Sequence, residues 1–135
     1  MRVGAAGQSL MENVKLSIMT QQLRLAEQKV KMHELAHKSV GGELAGPVRY
    51  RYTKGPDGRM YITGGEVPLH LKEGKTPEET IEIARKVKRA ALAPLNPSPQ
   101  DRAIAAKATA MEIKARIEML SENGEETGRF IDLSL

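Results

Sequence analysis

A series of residues at alternating three- and four-residue intervals constrains this chain more than any other feature. Side chains at that spacing lie on one face of an α-helix, which completes a turn every 3.6 residues. We therefore predict one long amphipathic helix over residues 9–42, with Ser9 as a candidate N-cap and Gly41-Gly42 as its end. The members of the series are Leu16, Met19, Leu23, Ala26, Val30, His33, His37 and Val40.

The composition favours a small helical domain and excludes several other classes. The length of 135 residues suits about one domain. The chain has no cysteine, which excludes disulfide scaffolds, thiolate zinc sites and cysteine nucleophiles. Since it has one Phe, three Tyr and no Trp, its core must be built from small aliphatic side chains, which suit packed helices.

Charge and hydropathy bear on partners and localisation. The net charge of +4 is well mixed and lacks the Lys/Arg block typical of nucleic-acid binding. No apolar run approaches the roughly 20 residues of a membrane span. Residues 1–9 lack the apolar core of a signal peptide. We therefore expect a cytoplasmic protein with neither a nucleic acid nor a membrane as partner.

After the long helix, the period of the sequence changes from helical to two. Apolar and polar residues alternate from Val48 to Thr53, and Lys54-Gly55-Pro56-Asp57-Gly58 has strong turn chemistry. Residues 59–63 are again β-prone. These patterns predict a β-hairpin over residues 48–69.

Two further helices are predicted from their first residues. Thr76-Pro77 and Ser98-Pro99 each combine a hydroxyl N-cap with proline at the first helical position. The resulting fold class is α+β, mainly α, in a single domain. Its predicted parts are a flexible N-terminus (1–8), the long helix (9–42), the hairpin (48–69), two helices (76–93 and 98–122) and a tail (124–135).

The segment with the most chemistry is His33-Glu34-Leu35-Ala36-His37, an H-E-x-x-H on the predicted helix. Two histidines four residues apart lie on one face, so both imidazoles can reach one metal ion. Glu34 is rotated by about 100° around the axis, the position of the general base in zinc peptidases. We predict Zn²⁺ bound by His33 and His37, with Glu34 as the catalytic residue. The alternative is that both histidines only pack in the core, but burying two unpaired imidazoles would cost free energy.

A catalytic zinc ion normally has three protein ligands, and the spacing leaves the third one open. Glu66 follows two glycines, where the backbone can approach a ligand closely. Glu43 would serve if the helix were followed by an immediate turn. His70 is the remaining histidine. Asp101 is a fourth candidate, although capping of a helix would explain it as well.

The stretch from His33 to about Ala115 resembles the SprA-related family of bacterial proteins, which are described as metalloproteases. The blocks that carry the resemblance are HELAHKSVGG, YRYTKGPDGRMYITGGEV and RAALAPLNPSPQDRAIAAKA. The resemblance implies that His33 and His37 are zinc ligands and that Glu34 is the base. It also favours Glu66, the acid of the GGEV block, as the third metal ligand.

Together these features predict a zinc-dependent metallopeptidase with a minimal zincin-like site that hydrolyses a peptide or protein substrate. An extended peptide can add to one edge of the hairpin, and the Tyr61 hydroxyl is a candidate for stabilising the oxyanion. The alternative hypothesis is a non-catalytic helical interaction module with a structural or vestigial metal site. Such a module would form a homodimer through the long helix.

Overall fold

The structure, a computed structural model, describes the backbone of residues 4–134 and the side chains of residues 4–122. The predicted class, α+β and mainly α, is confirmed. The described elements follow in chain order: α1 (Ala5–Gly41), a 3₁₀ turn (Gly42–Leu44), β1 (Arg49–Lys54), β2 (Met60–Glu66), α2 (Pro77–Ala91) and α3 (Pro99–Ser134).

Helix α1 begins earlier than the sequence predicted. It starts at Ala5 instead of Ser9, and the Gln8 backbone N–H donates to Gly4 O at 3.1 Å. Alanine has the highest helix propensity of all residues, so Ala5 and Ala6 extend the helix without any cap at residue 9. The predicted flexible N-terminus is therefore helical from residue 5, and residues 1–3 lie outside the described residues. The helix ends where Gly42 adopts a φ of +52°.

Strands β1 and β2 form the predicted antiparallel hairpin, with a bulge. Tyr52 pairs with Ile62 and Arg51 pairs with Gly64, which leaves Thr63 as an extra residue in β2. The pairing ends at Glu66, before the predicted end at residue 69. Proline has no N–H to donate, so the ladder cannot continue through residue 68.

The two C-terminal helices have the predicted caps. Thr76 Oγ1 accepts a hydrogen bond from Glu79 N at 3.2 Å. Ser98 Oγ accepts from Asp101 N at 3.0 Å, and the Asp101 carboxylate accepts from Ser98 N at 2.9 Å, which is a reciprocal capping box.

Helix α3 extends farther toward the C-terminus than the sequence predicted. The tail expected over residues 124–135 is helical through Ser134, past the predicted stop at Asn123-Gly124. A glycine inside a helix costs only about 1 kcal/mol relative to alanine, so neither Gly124 nor Gly128 ends this helix. Residue 135 lies outside the described residues.

The chain divides into two compact units. The first comprises Met1–Leu35 and Pro47–Val67, and the second comprises Ala36–Gly46 and Pro68–Leu135. Most of α1 and the hairpin belong to the first unit. The second contains the end of α1 with α2 and α3, and its core is the buried cluster of Leu44, Ala84, Val87 and Ala108. The single domain over residues 1–135 stays a prediction.

Within the first unit, the hairpin is fixed to α1 by a side chain of the helix. Glu27 Oε2 accepts a hydrogen bond from the backbone N–H of Ile62 at 2.7 Å. Tyr61 and Ile62 are both buried. In the part of the chain that the structure describes, no helix has the length and apolar character needed to cross a membrane.

Candidate metal centre

Three side chains of types that bind metal ions come together in the described structure: His33, His37 and Asp101. Each offers one ligand atom, and these atoms all lie within 4.8 Å of one another. Two imidazole nitrogens and one carboxylate oxygen are donors that suit Zn²⁺ and other transition-metal ions. This group is therefore able to bind a metal ion.

The two histidines take their places from α1. Because they are four residues apart in a continuous helix, their side chains lie one above the other, as the sequence predicted. His33 is half-buried, and His37 is only 3% exposed. Burial of this kind limits the imidazole to few orientations and shields its contacts from water.

Hydrogen bonding determines which nitrogen of His37 is available as a ligand. Its Nδ1 lies 2.8 Å from the carbonyl oxygen of Ala90, near the end of α2. A carbonyl only accepts, so Nδ1 carries a hydrogen and donates it. Nε2 is then the ligand atom of the neutral ring, the arrangement that carbonyl partners impose on metal-binding histidines.

The contact between His37 and Asp101 is consistent with a bound cation. Nε2 of His37 lies 3.1 Å from Oδ2 of Asp101. In the neutral imidazole, the lone pair of Nε2 would face a carboxylate oxygen, and this contact is repulsive. A proton on Nε2 or a metal ion held by both atoms removes the repulsion. The residues present thus fit a metal ion.

Asp101 has a structural role as well as a position in this group. Its Oδ2 atom accepts the Ser98 N–H at the start of α3, while the same atom faces His37. The capping and metal-ligand interpretations of this residue are therefore compatible. The carboxylate is held in place by its own helix, as expected for a preorganised ligand.

Glu34 follows His33 in α1 and is a buried carboxylate, 4% exposed. Its side chain packs on Gly65 of β2. A Cβ atom placed on Gly65 would lie 3.2 Å from each of three atoms: Glu34 Cγ, Arg49 O and Tyr50 Cδ1. Glycine at this position therefore allows β2 to approach Glu34 closely. The sequence predicted that the backbone at Gly64-Gly65 approaches a ligand closely, but it assigned the ligand-binding carboxylate to Glu66.

The other two carboxylates proposed as metal ligands lie on the surface. Glu66 is 58% exposed, and its Oε1 lies 3.9 Å from Nη1 of Arg49. Glu43 is 85% exposed and faces Lys86 at 3.9 Å. Neither belongs to the group that the described residues form around His37.

The two remaining candidates also lie outside this group. His70 is exposed, and its backbone N–H donates to Leu44 O at 2.8 Å. Tyr61 is buried, and its hydroxyl donates to the carboxylate of Asp57 in the hairpin turn. That hydrogen bond lowers the pKa of the Asp57 carboxyl. The Tyr61 hydroxyl therefore has a structural role in the turn.

Sequence reasoning did not find the function of Glu27. Its hydrogen bond from the Ile62 N–H lowers the pKa of the Glu27 carboxyl. Glu27 precedes Glu34 by seven residues, which is about two turns of α1, so both side chains contact β2 from one side of the helix. The sequence shows only that Glu27 is an acidic residue next to the apolar series of α1. Acidic residues in such positions are too common to single out this one.

Comparison with family models gives a match over most of the chain. A family model described as the SprA-related family matches residues 6–128, a range that includes His33, Glu34, His37 and Asp101. Searches of curated proteins and of solved structures find no match.

Proposed function

The chain belongs to the SprA-related family, and on this premise we propose that it is a zinc-dependent peptidase. His33, His37 and Asp101 hold the metal, and Glu34 is the general base. The observation that carries the proposal is that the ligand atoms of His33, His37 and Asp101 lie within 4.8 Å of one another. The two histidines share α1 with the buried Glu34. Asp101 takes the role for which the sequence favoured Glu66.

The metal ion and the residues that orient its ligands have separate roles in this proposal. A zinc ion bound by two histidines and one carboxylate would supply Lewis acidity to the scissile carbonyl and to water. Ala90 O orients the His37 ring by accepting from Nδ1, and Ser98 N orients Asp101. These hydrogen bonds keep the ligand atoms of His37 and Asp101 in place.

Glu34 is proposed to transfer the proton between water and the leaving amine. As the base it accepts a proton from the attacking water, and it then donates this proton to the amine that leaves. Its burial supports this role, since it keeps bulk water away from the carboxylate during the reaction. The substrate is an extended peptide, which can add to an edge of the β1–β2 hairpin through main-chain hydrogen bonds.

The first experiment is elemental analysis of the purified full chain beside a His33→Ala/His37→Ala variant. We expect about one zinc per wild-type chain and none in the variant. Iron in place of zinc would contradict the peptidase proposal, because two histidines and one carboxylate also form the ligand set of iron oxygenases. A wild-type chain that takes up neither metal, even after incubation with each, would contradict the metal site itself.

The second experiment tests Glu34 with a Glu34→Gln variant. We expect the variant to keep its zinc and to lose about 100-fold or more in the hydrolysis of a fluorogenic library of extended peptides. Glu12→Gln, an exposed carboxylate on the same helix, is the matched control and should hydrolyse the library at the wild-type rate. Equal rates for Glu34→Gln and wild type would show that the base is misassigned.

The alternative, a non-catalytic interaction module, stays a hypothesis. The many exposed apolar residues of α1 favour an interaction surface in addition to the metal site. A zinc-loaded wild-type chain that hydrolyses no peptide of the library, together with a fourth protein ligand on the metal, would favour this alternative.

A further inference from the structure

The exposed apolar residues of α1 form a second series at three- and four-residue intervals, separate from the Leu16–Val40 series. We call it the outer stripe. Its six apolar members are between 49% and 70% exposed. The outer stripe consists of Met11, Val14, Ile18, Gln21, Leu25, Gln28, Met32 and Leu35.

The spacing of the outer stripe is that of a coiled-coil contact. Met11, Ile18, Leu25 and Met32 are each seven residues apart and occupy heptad position a. Val14, Gln21, Gln28 and Leu35 occupy position d. The stripe spans more than three heptads, which is long enough for a stable helix–helix contact. A strict a/d stripe is a narrow seam that fits one partner helix.

Four of the six positions that flank this seam between residues 11 and 35 are basic, and none is acidic. Lys15 and Lys29 occupy position e, and Arg24 and Lys31 occupy position g. All four are exposed, although Lys31 also lies 3.6 Å from the Glu27 carboxylate within α1. Position e and position g residues determine partner choice in coiled coils, because they meet the charges of the facing helix. The charges here complement an acidic helix.

We propose that the outer stripe binds an acidic amphipathic helix of another protein as a coiled coil. A second copy of this chain is disfavoured, because Arg24 would face Lys29 of the partner copy in a parallel pair. In an antiparallel pair, basic residues would again meet basic residues.

A lipid surface fits the outer stripe less well. Interfacial helices bury a broad apolar face that usually includes aromatic residues. Here Gln21 and Gln28 interrupt the stripe, and α1 has no aromatic residue. Glutamine at position d is compatible with a helical partner, where polar core residues determine register at some cost in stability.

The test uses the full chain and two synthetic helical peptides of about four heptads. Both peptides carry Ile at position a and Leu at position d, and they differ only in having Glu or Lys at positions e and g. We expect the Glu peptide to bind about ten-fold more tightly than the Lys peptide in isothermal titration, with weaker binding as salt increases. Equal affinity for the two peptides, or no binding of either, would overturn the proposal.

Variants locate the binding surface. Ile18→Gln/Leu25→Gln should weaken binding of the Glu peptide by about 100-fold, because two buried apolar side chains are lost. Leu120→Gln, which changes an exposed apolar residue of α3, is the control and should bind as wild type does. Lys15→Glu/Lys29→Glu should abolish the preference for the Glu peptide, because Arg24 and Lys31 remain basic and offset the two new acids. Since none of these residues belongs to the metal centre, loss of peptide binding with retained zinc separates this proposal from the proposed function.

Two measurements on the full chain without peptide complete the test. Sedimentation equilibrium should show a monomer at micromolar concentration, and phosphatidylserine vesicles should not bind the chain in flotation. A dimer that Ile18→Gln/Leu25→Gln dissociates would assign the outer stripe to a second copy. If the wild-type chain floats with the vesicles and the same variant does not, the outer stripe would be assigned to an anionic lipid surface. Either result would overturn the proposal.

Discussion

At the level of single residues, one oxygen of Asp101 takes part in two interactions. Oδ2 accepts the Ser98 N–H and lies 3.1 Å from Nε2 of His37. The sequence predicted the cap from Ser-Pro-x-Asp, and it predicted His33 and His37 from helical spacing. It could not predict which acid meets the histidines, because that depends on how α3 packs and not on any local pattern. The GGEV block favoured Glu66, whose side chain lies at the surface beside Arg49.

This difference can be tested with two amide substitutions. Asp101→Asn keeps an oxygen that can accept the Ser98 N–H but loses the negative charge toward the metal. We expect its zinc affinity to fall by about 100-fold, whereas Glu66→Gln should bind zinc as wild type does. Competition with a chromogenic chelator measures both affinities. The reverse order of the two affinities would restore Glu66 as the third ligand.

At the level of elements, the starts of α2 and α3 allow a matched comparison. Thr76→Ala and Ser98→Ala each remove a hydroxyl that accepts the N–H of the third helical residue. Each substitution should lower the free energy of unfolding by about 1 kcal/mol, measured by urea denaturation. Only Ser98→Ala should also weaken zinc binding, because only this cap includes a proposed ligand. Equal zinc affinities in the two variants would mean that the cap does not position Asp101.

The attachment of the hairpin to α1 should depend on pH. The pKa of Glu27 is lowered from its ordinary value of 4.5, chiefly by the Ile62 N–H. A group whose pKa is lower in the folded state stabilises the fold above its ordinary pKa, and this contribution is lost as the pH falls through the folded pKa. Glu27→Gln should therefore be less stable than wild type near pH 7, and the difference should shrink toward about pH 3.

Urea midpoints of both proteins at the two pH values measure this effect. Glu12→Gln, which changes an exposed carboxylate of α1, serves as the control and should follow wild type at both pH values. A stability difference between Glu27→Gln and wild type that is the same at both pH values would mean that the ionised carboxylate is not what holds Ile62.

Element types could be predicted better than element ends. The α1 series, the hairpin alternation and the two hydroxyl-proline caps each follow from a local rule, and all four elements are present. The ends follow from small differences in free energy. Ala5 and Ala6 lengthen α1, and one Asn-Gly pair does not stop α3. The extra residue Thr63 in β2 had no signal, because a bulge depends on how the two strands pair.

For the whole molecule, a metal ion that binds only the folded chain must stabilise it. At a free zinc concentration about 100 times Kd, the added stability is about 2.7 kcal/mol, and Tm should rise by roughly 10 °C. Removal of zinc with a chelator should reverse this change in a calorimetric scan. His33→Ala/His37→Ala should show no response of Tm to zinc. A wild-type Tm that does not respond either would contradict a site formed in the folded state.

The fold class of the whole molecule could be predicted from composition. The contact partners of individual side chains could not. Few aromatic residues and two capped helices sufficed to predict a mainly α fold. The contact of His37 with Ala90 O and Asp101 joins three separate elements, α1, α2 and α3. Only the packed chain brings them together.

The core between α2 and α3 consists largely of alanine, and this has a consequence for how the sequence can change. Ala84, Ala90 and Ala108 are at most 1% exposed, whereas Leu95 is 97% exposed. In a saturation library, the small residues of this core should therefore be the restricted positions, because almost every replacement adds volume where none is available. Many of the large apolar residues should accept polar replacements. A substitution matrix that equates hydrophobicity with constraint would rank Leu95 above the buried alanines, which is the wrong order for these positions.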